Sequence, residues 1–217
     1  MAVLTWDQVG ERLYETGVSK GVLYIPNDTG EYDNGVAWNG LTGITESPTG
    51  AEPSAIYADN IKYLNLTSAE EFGATIEAFT YPAEFAQFDG VASPVVGVSV
   101  GQQNRGMFGL SYRTIIGNDV KGDAYGYKIH LVYGCSASPS ERSYATVNEN
   151  PEALPLSWSV TTSPVEFAGG KPTSILTIDS TKADETDLAA LELMLYGAAS
   201  VDPQLPLPAA VVAMFTP

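Results

Sequence analysis

Residues 107–143, MFGLSYRTIIGNDVKGDAYGYKIHLVYGCSASPSERS, carry the pattern that decides the fold. Residues typical of strands occupy every second position from Phe108 to Ile116 and again from Tyr125 to Tyr133. Successive side chains of a β-strand point to opposite faces, so a two-residue period indicates a strand. The polar residues 117–123 between the two runs supply a turn. The segment therefore predicts a long β-hairpin.

Most other patterned segments also indicate strands. The predicted strands are 20–26, 36–46, 55–66, 71–81, 156–167 and 173–179, with 55–66 and 71–81 pairing to each other. A helix is the alternative for 69–79, but Phe72, Ala74 and Ile76 keep the two-residue period. The clearest helix is 183–196, which carries a leucine stripe and ends at Gly197. Short helical turns are predicted at 82–88 and 141–147.

These elements predict a mainly β fold: an antiparallel sandwich or barrel of about eight strands with a flanking α-helix. A parallel sheet would need helical crossovers, and their patterns are missing. We expect one domain over residues 1–217, with an N-terminal arm at 1–19 and a proline-interrupted C-terminal arm at 200–217. Trp6, Val9 and Leu13 have helical spacing and predict a helical turn in the first arm.

Acidic residues outnumber basic ones throughout the chain. The sequence has 26 Asp and Glu against 10 Lys and Arg, which gives a formal net charge of −16. Residues 1–108 hold 14 acidic and 4 basic residues, and residues 109–217 hold 12 and 6, so the charge belongs to the whole surface. DNA binding requires Lys and Arg to replace counterions along the phosphates. The composition argues against DNA binding; it fits simple solubility or a channel that DNA crosses without adhering.

Membrane insertion and disulfide formation are not indicated either. No run approaches the ~18 apolar residues of a membrane-spanning helix. The first 15 residues lack the basic and apolar regions of a secretory signal. The single cysteine, Cys135, excludes an intrachain disulfide, and we interpret it as a small buried residue at a strand end.

One motif matches a catalytic pattern. Residues 97–101, Gly-Val-Ser-Val-Gly, have the G-x-S-x-G form of serine hydrolases, with Ser99 as nucleophile. The only base is His130, and Asp119 or Asp123 would be the acid. No helix pattern follows Ser99, although the hydrolase elbow requires one. We interpret His130 as a solvated or interface residue and expect no enzymatic activity.

The residue patterns predict neither a metal nor a cofactor. One histidine and one cysteine do not supply the ligands of a zinc site. Asp28, Glu31 and Asp33 could wrap a calcium ion, but their spacing is not that of an EF-hand and Asx turns explain them equally well. No phosphate- or dinucleotide-binding glycine loop is present.

Five segments together resemble one protein family. They are GVAWNGLTGITESPTGAEPS (35–54), YADNIKYLNLTSAEEFGATIEAFTYPAEF (57–85), FGLSYRTIIGNDVKGDAYGYKIHLVYGCSASPSERSY (108–144), LTIDSTK (176–182) and DPQLPLP (202–208). The chain resembles, from about Val18 to its C-terminus, the major tail tube proteins of siphophages that infect Gram-positive hosts.

This resemblance implies a structural virion protein that is assembled in the host cytoplasm. Its subunits would form hexameric rings stacked into a hollow tail tube, through which DNA passes without specific binding. The implied partners are further copies of the chain and the terminator, tape measure and distal tail proteins of the phage, with no membrane. The alternatives are an inner-tube protein of a contractile tail or a type VI-like secretion system and, in another class, a β-sandwich binding module.

A tube of this kind would benefit from carboxylates in its lumen, because they repel the phosphates of passing DNA. Asp59, Glu71 and Glu77 lie in predicted strands and are the lumen-facing candidates. The two arms are candidates for reaching a neighbouring subunit, and the loops 27–34 and 47–54 for contacts between stacked rings.

Overall fold

The computed structural model describes residues 3–147, 149, 153–167 and 169–216. Within these residues the chain forms fourteen strands, one 3-10 helix and two α-helices. The strands are β1 (Leu13–Ile25), β2 (Asn34–Trp38), β3 (Leu41–Glu46), β4 (Thr49–Gly50), β5 (Pro53–Ala58), β6 (Ile61–Thr67), β7 (Glu70–Glu71), β8 (Gly73–Ala78), β9 (Ala92–Val95), β10 (Val98–Val100), β11 (Phe108–Asn118), β12 (Gly122–Ala137), β13 (Leu156–Thr162) and β14 (Ile175–Asp179). The 3-10 helix spans Ala83–Gln87, α1 spans Glu185–Tyr196 and α2 spans Pro208–Met214.

Eight strands form one antiparallel sheet in the order β2-β1-β11-β12-β13-β8-β3, and β14 also pairs with β12. β2 and β3 stand at opposite ends of this order, yet only two residues separate them along the chain. Gly21 of β1 lies so close to β3 that a Cβ on it would be 2.2 Å from the Leu41 side chain. The sheet therefore rolls up until its ends meet, as in a barrel. The predicted fold class is confirmed.

The predicted hairpin, β11–β12, is the centre of this sheet. β12 pairs with β14 through Val132 and with β13 from Cys135 onward. The change of partner takes place at Gly134, where β12 bulges away from its regular register with β11. Gly134 has a φ of 59°, and a Cβ there would lie 2.2 Å from the carbonyl oxygen of Ser163, so this position requires glycine.

A first hydrophobic core fills the inside of the rolled sheet. It is rich in aromatic side chains, namely Trp38, Phe85, Phe88, Phe108 and Trp158. Phe85 comes from the 3-10 helix, and its ring centroid lies 4.6 Å from that of Trp38, 5.2 Å from that of Trp158 and 5.5 Å from that of Phe108. The short helix predicted at 82–88 thus closes the barrel interior from one end.

A second core covers the outer face of β12. Its buried strand residues are Ile129, Leu131 and Tyr133, and they pack with Leu188, Leu191 and Leu195 of α1. The helix begins at Glu185, two residues after its predicted start, because the side chain of Asp184 caps it by accepting hydrogen bonds from the N–H groups of Thr186 and Asp187. The strand alternation of β12 therefore serves two cores, one on each face.

Four local predictions are wrong. The strand predicted over 36–46 is two strands, β2 and β3, because the chain turns at Gly40, which has a φ of 76°. Strands 55–66 and 71–81 do not pair with each other, because Asp59 and Asn60, with φ of 50° and 62°, turn the chain back between β5 and β6. The N-terminal arm holds no helical turn among residues 3–19, because the chain is extended from Leu13 and pairs with β11. Residues 141–147 form no helix, and Arg142 instead binds Asp89 beside the barrel.

Candidate assembly surface

The β5–β6 hairpin stands apart from the main sheet. It forms a separate two-stranded sheet, inserted between β3 and β8. Ala58 pairs with Ile61 across the two-residue turn of Asp59 and Asn60. Positive φ at both turn residues is the type I′ geometry, which matches the twist of a two-stranded ribbon. Every residue of β6 is exposed to solvent, so the hairpin has no core of its own.

One face of this hairpin is apolar. Ile56 lies directly opposite Leu64, and Leu66 follows two residues further along the same face. These side chains are 40%, 38% and 57% exposed. We call Ile56, Leu64 and Leu66 the hairpin stripe. Contiguous exposed apolar surface of this kind marks interaction sites more often than it is neutral.

A second exposed hairpin, β9–β10, leaves the barrel from its other end. β5–β6 is inserted before Gly73, where β8 begins, and β9–β10 follows the 3-10 helix, which comes after Ala78, where β8 ends. Val95, Val96 and Val98 form its exposed tip, and Val96 is fully exposed. The molecule therefore presents apolar hairpins at two opposite ends of one strand.

The two arms differ in how they are packed. Residues 3–9 are exposed throughout, including Val3, Leu4, Trp6 and Val9. The C-terminal arm instead lies on its own subunit, because α2 buries Val211 in the second core beside α1. Both arms are candidates for reaching a neighbouring subunit, but only the N-terminal one presents an unpacked apolar surface.

The three lumen-facing candidates occupy different places. The prediction places Asp59 in a strand, but it lies in the turn at the tip of β5–β6. Glu71 lies in the two-residue strand β7, opposite Thr49 of β4. Glu77 is in β8, on the face opposite its buried neighbours Ile76 and Ala78. The lumen hypothesis treats these three carboxylates as one group. In the structure they belong to the β5–β6 hairpin, the β4–β7 pair and the eight-stranded sheet.

A polar cluster that the sequence analysis missed surrounds His130. This residue is 6% exposed, so its interpretation as solvated is wrong. Its ring stacks on Tyr112 with centroids 4.6 Å apart, and its Nε2 lies 3.0 Å from Oγ1 of Thr114. Glu46 Oε1 approaches its Nδ1 at 3.4 Å, and Glu15 Oε1 approaches its Nε2 at 3.6 Å.

The carboxylates of this cluster come from β1 and β3, which face each other where the rolled sheet meets. Lys128 donates to Glu15, and Tyr112 donates to Glu46 with 2.5 Å between the oxygens. No spacing in the sequence connects Glu15, Glu46 and His130, because only the rolling of the sheet brings their strands together. The cluster bridges the seam of the barrel with side chains rather than with a backbone ladder.

Burial and hydrogen bonding together shift the pKa values of this cluster. It lowers the pKa of His130, and this effect exceeds the opposing attraction of Glu46 and Glu15. For Glu15, burial would raise the pKa, but hydrogen bonds from Lys128 and Thr114 hold it below its ordinary value. Burial and the hydrogen bond to Glu46 raise the pKa of Tyr112. At neutral pH the imidazole of His130 is thus uncharged.

The structure also shows the surroundings of the other candidate residues, which are Ser99, the acidic loop 27–34 and Cys135. Ser99 lies in β10, an exposed strand that no helix follows before β11, so the elbow of a hydrolase is not formed. In the acidic loop, the side chain of Asn27 accepts hydrogen bonds from Thr29 and Glu31 and donates to Asp33, which is an Asx-turn arrangement. Cys135 is fully buried, as predicted, and burial raises the pKa of its thiol.

The described residues hold neither a metal-binding cluster nor a membrane-spanning helix. No group of three or more His, Cys, Asp or Glu side chains in this part of the chain is arranged to hold a metal ion. Among residues 3–147, 149, 153–167 and 169–216, no helix is long and apolar enough to cross a membrane.

Comparison with known proteins gives little further information. No family model matches the sequence, and no curated protein matches it. Among solved structures, a match was found to a chain in the cryo-EM structure of the anti-feeding prophage (AFP) baseplate, 6-fold symmetrised, with a TM-score of 0.38 and 10% sequence identity. The similarity covers 81% of this chain and 97% of that chain. At this level of similarity it supports no assignment of function.

Proposed function

We propose that this chain is a structural subunit of a phage tail, whose copies form hexameric rings that stack into a hollow tube for DNA. The observation that carries the proposal is the β5–β6 hairpin, which projects from a closed barrel with an uncovered apolar stripe. Five segments, spread over most of the chain, resemble siphophage tail tube proteins. This resemblance is the reason to interpret the stripe as a contact between copies of the chain.

The hairpin stripe has a physical need for a partner. An isolated two-stranded hairpin is at best marginally stable in water. Ile56 and Leu64 pack on each other but remain partly exposed, so further burial against another surface is favourable by roughly 25 cal/mol per Å² of apolar area. Contact with a second copy would both cover the stripe and hold the hairpin in one conformation.

The positions of the two exposed hairpins suit repeated stacking. A surface at one end of a subunit that binds a different surface at the other end makes a heterologous contact, which repeats without closing. Along the chain, β5–β6 precedes β8 and β9–β10 follows it after the 3-10 helix, so the two hairpins are different surfaces that such a contact could join. Rings related in this way stack into a tube.

Concentration-dependent electron microscopy of the purified protein tests this proposal. We expect rings or tubes from the native chain, and only monomers from the double variant Ile56→Asp, Leu64→Asp. Two controls bracket it: the single variant Ile56→Asp and Val120→Asp carry one added charge each, and Val120 is an exposed residue in the β11–β12 turn, outside the stripe. Monomers of the native protein at every concentration would overturn the proposal, as would tubes that form equally well from the double variant.

The acidic lumen is a separate part of the proposal. Asp59 and Glu77 remain candidates, and their charge reversal to lysine should slow DNA ejection from assembled particles. Glu77→Lys should leave tube assembly intact. Asp59 lies in the turn of the β5–β6 hairpin, so its variant is compared only on particles that have assembled. Glu166→Lys, at an exposed loop position, serves as the charge-matched control. Ejection at the native rate in the Asp59→Lys and Glu77→Lys variants would remove these two residues from the lumen.

A binding module is the second candidate, because Tyr57 and Tyr63 are exposed in the same hairpin. Exposed aromatic rings offer apolar faces on which sugars stack. A monodisperse monomer with affinity for carbohydrate, lost in Tyr57→Ala and Tyr63→Ala, would favour this function. An inner tube of a contractile tail or type VI-like system would instead form tubes that co-purify with a sheath protein.

A further inference from the structure

Two asparagines of this chain are each followed by glycine, at Asn34–Gly35 and at Asn39–Gly40. This dipeptide is the reactive arrangement for loss of the asparagine amide, because the backbone nitrogen of the second residue attacks the side-chain carbonyl carbon of the first. Glycine has no Cβ, so it lets that nitrogen approach closely. The dipeptide is the same at both places, and any difference in reactivity therefore comes from the fold.

The first pair is held in the sheet. Both of its residues belong to β2, and they pair with Ile25 and Tyr24 of β1. The N–H of Gly35, which must lose its proton before the nitrogen attacks, donates instead to the carbonyl of Pro203 at 2.9 Å. The space beside Gly35 is also filled, since a Cβ there would lie 2.9 Å from side-chain carbons of both Pro203 and Tyr24. The fold therefore protects Asn34.

The second pair lies in the turn between β2 and β3, and both of its residues are exposed. Gly40 has a φ of 76°, and its carbonyl accepts a hydrogen bond from the N–H of Phe79 at 2.9 Å. Neither the N–H of Gly40 nor the side-chain amide of Asn39 donates a hydrogen bond to another described residue. The carbonyl bond holds the turn in place, but the two groups that react with each other are not engaged elsewhere.

We propose that Asn39–Gly40 is a site of spontaneous modification, at which the chain forms a succinimide and then aspartate or isoaspartate. In the first step the nitrogen of Gly40 bonds to Cγ of Asn39 and the Cγ–Nδ2 bond breaks. The amide leaves as ammonia with the proton of the glycine nitrogen. In the second step water adds to a ring carbonyl: opening at Cγ gives aspartate, and opening at the backbone carbonyl gives isoaspartate. The reaction needs no oxidant, and it is independent of self-assembly.

The position of this turn gives the modification a structural consequence. The turn joins β2 and β3, which stand at opposite ends of the sheet order and meet where the barrel closes. Before the turn, Trp38 donates from Nε1 to the carbonyl of Thr80 at 3.0 Å; after it, Leu41 lies against Gly21 of β1. Isoaspartate inserts its Cβ into the backbone between these two anchors. The modified chain therefore has a longer connection at the point of closure.

Ageing of the native protein in mildly alkaline buffer tests the proposal without any variant. Chymotrypsin cleaves after Trp38 and puts the two asparagines on different peptides, whose conversion is followed by mass spectrometry. In the folded protein we expect Asn39 to convert at least about tenfold faster than Asn34, which corresponds to about 1.4 kcal/mol of added protection for Asn34. In urea this protection is lost, and the two rates should become similar. An isoaspartate-specific methylation assay should detect the second product in the aged, folded protein.

Two variants make a matched pair for the same reaction. Asn39→Gln lengthens the side chain by one carbon, so the succinimide no longer forms, and most of the ammonia released by the folded protein should disappear. Asn34→Gln makes the same change in the protected pair and should leave this release unchanged. Equal conversion of the two asparagines in the folded protein would overturn the inference. An Asn39 that stays intact when folded but converts in urea would overturn it too, because the turn would then be as protected as the strand.

Discussion

Two hairpins of this molecule have similar sequence patterns and opposite surroundings. In β11–β12, the alternating residues Ile129, Leu131 and Tyr133 are completely buried. In β5–β6, the alternating residues Ile56, Leu64 and Leu66 are exposed. Alternation specifies the strand and the face in both cases, but it does not say whether that face meets the protein's own core or another molecule.

The difference comes from what flanks each hairpin. β11 and β12 are paired on their outer edges with β1, β13 and β14, and α1 covers one face. β5 and β6 pair only with each other. The first hairpin is thus the interior of the fold, and the second is surface, which the proposed assembly would cover.

The largest effect should come from removing a buried side chain of the first hairpin. Leu131→Ala deletes three carbon atoms at the contact of β12 with α1 and leaves a cavity there. We expect the free energy of unfolding to fall by about 2–5 kcal/mol, measured by urea denaturation of the monomer. A loss below about 1 kcal/mol would mean that this hairpin is not the rigid centre of the fold.

The next effect concerns the turn that creates the second hairpin. Asn60 has a φ of 62°, where a β-branched residue is strained, so Asn60→Val should cost about 1–3 kcal/mol locally. Because the hairpin is separate from the barrel, amide protection should fall in β5 and β6 only, with the main unfolding midpoint unchanged. Asn60→Gly keeps the turn and is the control. A drop in the main midpoint would show that the barrel depends on this hairpin.

A smaller effect is expected from acid, and it acts on the first hairpin through His130. Its pKa in the folded state is below the ordinary 6.5, so the unfolded chain binds the proton more readily. Stability should therefore be highest above pH 6.5 and fall as pH decreases toward 5. Glu15, whose pKa is also lowered, should add a further loss only below about 4.5, its ordinary value.

Denaturation midpoints across this range check the assignment. His130→Gln should reduce the change of stability between pH 7 and pH 5. The further loss of stability that Glu15 causes below about pH 4.5 should remain. The surrounding charges are Glu15 on β1, Glu46 on β3 and Lys128 on β12, with Tyr112 on β11. Stability that rises on acidification would show that the two carboxylates outweigh burial and raise the histidine pKa.

The sequence predicts what depends on neighbours along the chain. The long hairpin, α1 with its leucine stripe and Gly197 end, and the 3-10 helix all follow from local pattern. The Asp59–Asn60 turn also has a local signal, which is a polar pair between two alternating runs. Because the prediction of one strand over 55–66 ignores this pair, it gives that segment the wrong pairing partner. By contrast, the cluster of Glu15, Glu46 and His130 depends on how the sheet closes. No local signal encodes that closure.

The smallest effect on folding should come from the same substitution made in the second hairpin. Leu66→Ala deletes the same atoms as Leu131→Ala, but from a side chain that is already 57% exposed. We expect the monomer's unfolding free energy to change by less than about 0.5 kcal/mol, while the concentration needed for assembly rises. Because the chemistry is identical, the difference between the two variants reports only on surroundings. Equal losses of monomer stability would show that the hairpin already packs within one subunit, and that its stripe is core rather than interface.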